Sequence, residues 1–213
     1  MKQNIKVFIS AFLAGVCISV GGVVFLQLKD AFPGGNVAGA LLFTVGLYTI
    51  CTRGLHLFTG KVCYVFDNDF NYLLQVGITW VGNLCGTCLS AAMVNASRLT
   101  VSQTALALST GKLNDNMISL AVLGFFCNIC IFIAVNAFAN NPHEIGKYVA
   151  LFLGVAVFIL AGFEHSVADM FYFAVSGVLY TSPVKTLAVL LVISLGNAVG
   201  GVFFPLLEKI KNK

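Results

Sequence analysis

Charge is scarce in this 213-residue chain: Asp, Glu, Lys and Arg together make up 9% of it, against about 25% in a soluble domain. That shortage excludes an ordinary water-soluble fold. The 12 basic and 8 acidic residues leave a net charge of +4, spread over the two ends and several short loops. No basic run with interleaved aromatics is present, which excludes nucleic acid as a partner. Histidine is scarce too, at 3 residues, and no His or acid brackets the C-x-x-C pairs Cys85-Gly-Thr-Cys88 and Cys127-Asn-Ile-Cys130. Such pairs invite a redox or metal reading, but on a helix the spacing simply sets two small residues on one face. All 7 cysteines lie in apolar segments, where Cys behaves as a small hydrophobe. No nucleophile–base pair, phosphate loop or metal cluster argues for an enzyme, and nothing calls for a cofactor.

What is abundant is apolar surface. Hydrophobic residues are 59% of the chain and mean hydropathy is +0.95, the values of an all-α, multi-pass membrane protein embedded in a lipid bilayer. A spanning helix needs about 20 apolar residues, and six stretches qualify or nearly do. The first, about Val7 to Leu28, follows Met1-Lys2-Gln-Asn-Ile-Lys6 like a signal peptide, yet it runs on too long and lacks a small-residue exit. It is expected to stay as a membrane helix. The second runs from about Val37 to Phe66 and is interrupted by the polar, Gly-flanked insert 52–61. The third covers about Tyr72 to Val94. A polar loop from Asn95 to Asn116 precedes the fourth, about Met117 to Ala139. The fifth, about Tyr148 to Leu179, breaks at Glu164-His165-Ser166, and the sixth covers about Leu187 to Leu207.

A repeat emerges from this order. Stretches two and five are both broken, and stretches three and six both carry Gly-Asn-x-x-Gly, at Gly82-Asn83 and Gly196-Asn197. With three spans per half, the second copy enters the membrane in the opposite sense, and two broken helices meet near the midplane. The expectation is one transmembrane domain over 1–213, with inverted repeats at about 7–94 and 117–207. Lys2, Lys6, Lys147, Lys209, Lys211 and Lys213 fall on one side of this arrangement, with Lys61 near it. Lys29, Arg98, Lys112 and Lys185 fall on the other. The excess places both termini in the cytoplasm.

Glu164, His165 and Asp169 sit inside the apolar run from Tyr148 to Leu179. An ionisable group at membrane depth costs at least ~2.5–3.5 kcal/mol on insertion scales and normally faces a bundle interior or a water-filled path. Their clustering marks a site.

Leu57-Phe58-Thr59-Gly60, Cys127-Asn128, Gly162-Phe163-Glu164-His165-Ser166 and Gly196-Asn197-x-x-Gly-Gly, in this order, resemble the formate/nitrite transporter family over nearly the whole chain. The resemblance implies a homopentamer in the inner (plasma) membrane, each protomer an aquaporin-like inverted repeat with its own anion pore. It implies His165 at the pore centre with Thr59 opposite, and Phe43, Leu47, Leu57, Phe58 and Phe158 as apolar residues that narrow the pore. Lys112 falls at the outer vestibule and Asn128 is the pore-side amide. Glu164 would point away from the pore and accept backbone hydrogen bonds from the opposing break, while Asn83 and Asn197 tie down broken-helix backbone. Two positions depart from the family: His56 stands where an acid usually precedes Leu-Phe-Thr, and Asp169 where an Asn is usual. Asp169 would either cap the resumed half-helix or add a charge.

Two mechanisms are open at this point. His165, whose unperturbed pKa is ~6.5, could lend a proton so that formate, nitrite or hydrosulfide crosses as the neutral acid. Alternatively His165 and Thr59 donate hydrogen bonds to a passing anion. The rival in the same architecture is a water or neutral-solute channel, which needs paired Asn-Pro-Ala loops; the chain has only Asn141-Pro142, in a turn.

Overall fold

The computed structural model describes residues 2–212; Met1 and Lys213, the latter among the lysines assigned above to the cytoplasmic side, lie outside them. Among the described residues every regular element is helical. Five helices are long and apolar enough to cross a membrane: α1 (Lys2–Leu28), α2 (Gly35–Arg53), α4 (Phe70–Asn95), α6 (Met117–Asn140) and α10 (Pro183–Lys211). Between α2 and α4 lie a single turn, α3 (Phe58–Lys61), and a 3-10 segment, Val62–Asp67. Helix α7 (Glu144–Leu160) is followed after a break by α8 (Ser166–Val175), and one turn, α9 (Val178–Thr181), leads into α10.

The ends of these helices follow from local sequence. Asp69 caps α4 by accepting from Tyr72 N–H, and Asn116 caps α6 by accepting from Ser119 N–H, each satisfying an orphan donor of the first turn. Helices α2 and α7 stop in the same way. Gly54 (φ 63) and Gly162 (φ 73) take left-handed backbone. Leu55 N–H then reaches back to Ile50 C=O, and Phe163 N–H to Phe158 C=O, each at 2.9 Å. This is the glycine-dependent Schellman ending, and the same sequence offset relates both members.

Residues 95–116, expected as a loop, instead contain a 13-residue helix, α5 (Ser102–Asn114). Its Ser, Thr, Gly and Lys content hides a thin buried face: Ala105 and Ser109 are buried, and Ser176 donates to Ser109 Oγ at 3.2 Å. Docking on α8, rather than helix propensity, holds this segment.

The halves pack alike. Helix α1 lies on α2 and α4, α6 lies on α7 and α10, and the seam between them is α2 on α7 and α4 on α8. Small residues permit these close approaches: a Cβ on Gly86 would collide with Phe12 C=O, and one on Gly200 with Phe125 C=O. Gly86→Ala and Gly200→Ala are therefore expected to destabilise by about 1–3 kcal/mol each, read as a lower unfolding temperature in detergent. Gly111→Ala, at a position with nothing within 4 Å of the added carbon, should leave that temperature unlowered.

Candidate functional site

The two breaks meet in the interior, and an asparagine braces each. Asn83 Oδ1 accepts from Phe58 N–H (2.9 Å), while its amide donates to His56 C=O (3.0 Å) and Ala11 C=O (2.7 Å). Asn197 does the same one repeat later: Oδ1 accepts from Ser166 N–H (2.9 Å), and the amide donates to Glu164 C=O and Gly124 C=O (both 2.8 Å). Both side chains are fully buried. Non-helical backbone at this depth needs such internal partners, because lipid offers none.

From these breaks come the two polar side chains that meet. His165 precedes α8 and caps it: Nδ1 accepts from Ala168 N–H at 3.1 Å, a role the sequence left open to Asp169. A backbone amide can only donate, so a neutral imidazole here carries its proton on Nε2. Nε2 faces Thr59 Oγ1 at 3.0 Å. The imidazole stacks on Phe158 (centroids 5.4 Å), which meets Phe43 edge to face (6.1 Å). His165 is 2% exposed and Thr59 0%.

Cavities lie on either side. One, of about 220 Å³, is lined by Leu47, Leu57, Gly60, Lys61 and Tyr64 among others, and reaches Phe138 and Ala139 in the last turn of α6. The other, of about 350 Å³, holds Phe158, His165, Lys112 and Asp169 in its lining, with Lys29 and Asn36 from the α1–α2 corner. Leu47 and Leu57 thus border the first, Phe158 the second, and Phe43 packs on Phe158. Phe58 lines neither. It borders an outer groove with Trp80 and Leu191, because successive helical residues point about 100° apart and Thr59 takes the inward direction.

Three polar residues have partners that the sequence did not reveal. Glu164 does not accept from the opposing break; its carboxylate pairs with Lys112. Lys112 lines the second cavity but is not a free cation, since Asp169 Oδ1 also lies 3.0 Å from its ammonium. Fifty-two residues separate Lys112 from Glu164, so no local pattern announces the pair. Asn128 sits beneath the break rather than bare to the pore, donating to Thr59 C=O (3.0 Å) and Asn197 C=O (2.7 Å). Lys61, which enters the sequence reading only as the end of the polar insert and through the charge topology, lines the first cavity; its place two residues after Thr59 is the available signal. Among the described residues, no three His, Cys, Asp or Glu side chains gather as a metal-ligand set, and all seven cysteines are unpaired thiols.

A family model described as formate/nitrite transporter matches residues 1–209. The chain is similar to the formate channel FocB of Escherichia coli (strain K12), 26% identical over 186 residues, which cover 80% of this chain and 66% of that protein. A probable formate transporter of Methanothermobacter thermautotrophicus is 30% identical over 237 residues, with 93% of this chain and 85% of that protein covered. Among solved structures, a pentameric formate channel with formate bound aligns at a TM-score of 0.82 and 25% identity, over 99% of this chain and 98% of that one. The chain thus spans about two thirds of the length of FocB.

The asparagine braces carry their own prediction. Asn197→Ala leaves three backbone groups without their partner, at about 1–3 kcal/mol for each group left unsatisfied. Asn197→Asp keeps the acceptor for Ser166 but loses both donors. Both variants should unfold well below the parent temperature in detergent, with Asp giving no rescue; full stability of the Asp variant would contradict the assigned amide orientation.

Proposed function

The chain belongs to the formate/nitrite transporter family, and on that premise we propose that it is a homopentameric channel for small monovalent anions, formate first, with nitrite and hydrosulfide as further candidates. The observation that carries the reading is the 3.0 Å contact of His165 Nε2 with Thr59 Oγ1, between two cavities closed by apolar side chains. In this reading α7 and α8 together make the broken fifth of six spans, residues 7–94 and 117–207 are inverted, aquaporin-like repeats of one channel domain, and both termini face the cytoplasm from the plasma membrane.

An anion passing Leu47 and Leu57 on the side of one cavity and Phe43 and Phe158 on the side of the other sheds water, which is costly without replacement donors. His165 Nε2–H and the Thr59 hydroxyl supply two, exchanging their mutual bond for bonds to the anion. A hydrogen bond to a charged group is worth about 1.5–3 kcal/mol, enough to offset part of that penalty without trapping the ion. Proton delivery by His165 is a separate matter. The imidazole would first take a proton on Nδ1, where Ala168 N–H already points, setting two donors face to face. The observed arrangement thus favours a neutral hydrogen-bond donor, and any proton-coupled step has to release the cap of α8.

Flux of formate, nitrite and hydrosulfide into proteoliposomes across about pH 5–8, the range around the histidine pKa, tests the reading. The parent should pass at least one of the three. Thr59→Val keeps the shape and removes the hydroxyl, and should lower that flux about tenfold or more. His165→Asn retains a capping acceptor for α8 but shortens the reach to Thr59, so the protein should stay folded while its flux falls. A parent that passes water and none of the three anions would sink the proposal.

A further inference from the structure

Three lysines border the cavities on either side of the His165–Thr59 contact, and their surroundings differ. Lys112 lies against two carboxylates, Glu164 and Asp169. The charge of Lys112 is thus compensated within that group, so it is not free to draw anions. Lys29, which also lines the second cavity, pairs with Asp30 at 3.3 Å.

Lys61 presents the opposite case. It closes α3, two residues past Thr59, and lines the first cavity among Leu47, Leu57, Gly60 and Tyr64. Among the described residues its ammonium has no carboxylate partner. Of the acids at this end of the bundle, Asp67 is engaged with Lys209, Asp69 with the first turn of α4, and Glu144 with Lys147. The repeat sharpens the contrast. The offset that carries Gly54 to Gly162 also carries His56 to Glu164 and Lys61 to Asp169. A histidine and a lysine thus flank the first break where two acids flank the second, and of the two it is Lys61 that lines the largely apolar cavity, with no carboxylate partner.

We propose that Lys61, and not Lys112, is the residue that concentrates small monovalent anions at this pore, in the cavity bordered by Leu47, Leu57 and Tyr64. The proposal rests on the anion-channel reading above and adds its electrostatic determinant. A half-buried cation beside apolar walls is screened less than an exposed one, and a cleft lined by one sign of charge raises the local concentration of the opposite ion by about tenfold or more. Anions gathered there stand next to Thr59, so the lysine acts as a positioning and selectivity residue upstream of the hydrogen-bond donors.

The test compares the parent, Lys61→Gln and Lys61→Arg in proteoliposomes, measuring formate uptake against concentration at two ionic strengths set with impermeant salts. Lys61→Gln should raise the half-saturating formate concentration about tenfold and flatten its dependence on ionic strength, and Lys61→Arg should restore both. In detergent, carbon-labelled formate should show line broadening by the parent and markedly less by Lys61→Gln, a readout that needs no flux. A parent that conducts formate while Lys61→Gln keeps its half-saturation, salt dependence and line broadening overturns the role of Lys61 and leaves the channel reading standing. A parent that conducts no anion overturns the channel reading. Equal broadening by parent and Lys61→Gln then overturns this proposal as well.

Discussion

The interior of this protein depends on hydrogen bonds from two asparagine side chains to chain that is not helical. A break in a membrane-buried helix strips amides and carbonyls of their usual partners, and each unsatisfied group costs on the order of a few kcal/mol where water is absent. Asn83 and Asn197 each take one N–H and two carbonyls, bridging a break to a neighbouring helix on its far side. An amide is the side chain that can do this, since it offers an acceptor and two donors at one point. Asn128 adds a third brace, joining the carbonyls of Thr59 and Asn197. The breaks are thereby rigid, and rigidity is what lets two short polar side chains hold a fixed distance at the centre.

His165 shows how closely architecture and chemistry are tied. As the cap of α8 it satisfies the Ala168 amide with one nitrogen, and that bond fixes which nitrogen is left to face Thr59. A structural duty at a helix end thus sets the hydrogen-bond polarity of the contact with Thr59. Phe158 contributes twice in the same manner: its carbonyl accepts the Schellman bond that ends α7, and its ring stacks on the imidazole.

How much of this was legible beforehand depended on the range of the interactions. The breaks announced themselves locally, since glycine, a polar insert and half-length apolar runs lie side by side in 52–61 and 161–166, and the long spans followed from hydropathy with ends shifted by a few residues. Helix α5 did not, because its buried face is held by docking on α8 while its composition reads as loop. The Lys112–Glu164–Asp169 group was hidden for a different reason: its partners come from different segments, and only the folded chain brings them together. Phe58 shows the limit of a motif, in which adjacent residues share a line of text but not a direction in space. Residues assigned by family resemblance to the pore centre, His165 and Thr59, do stand together in the structure, whereas the partners of Glu164 and the setting of Lys61 needed coordinates.

The reach of each asparagine brace also bears on how the molecule is made. The contacts of Asn83 run to Ala11, His56 and Phe58, all in the first half of the chain, and those of Asn197 run to Gly124, Glu164 and Ser166, all in the second. Each half can therefore settle its own interrupted span before it meets the other. During synthesis the leading half can complete the bonds of its own asparagine brace while the trailing half is still on the ribosome. The bonds of Asn128 to Thr59 and of Thr59 to His165 then act as registration pins, made only when two finished units dock.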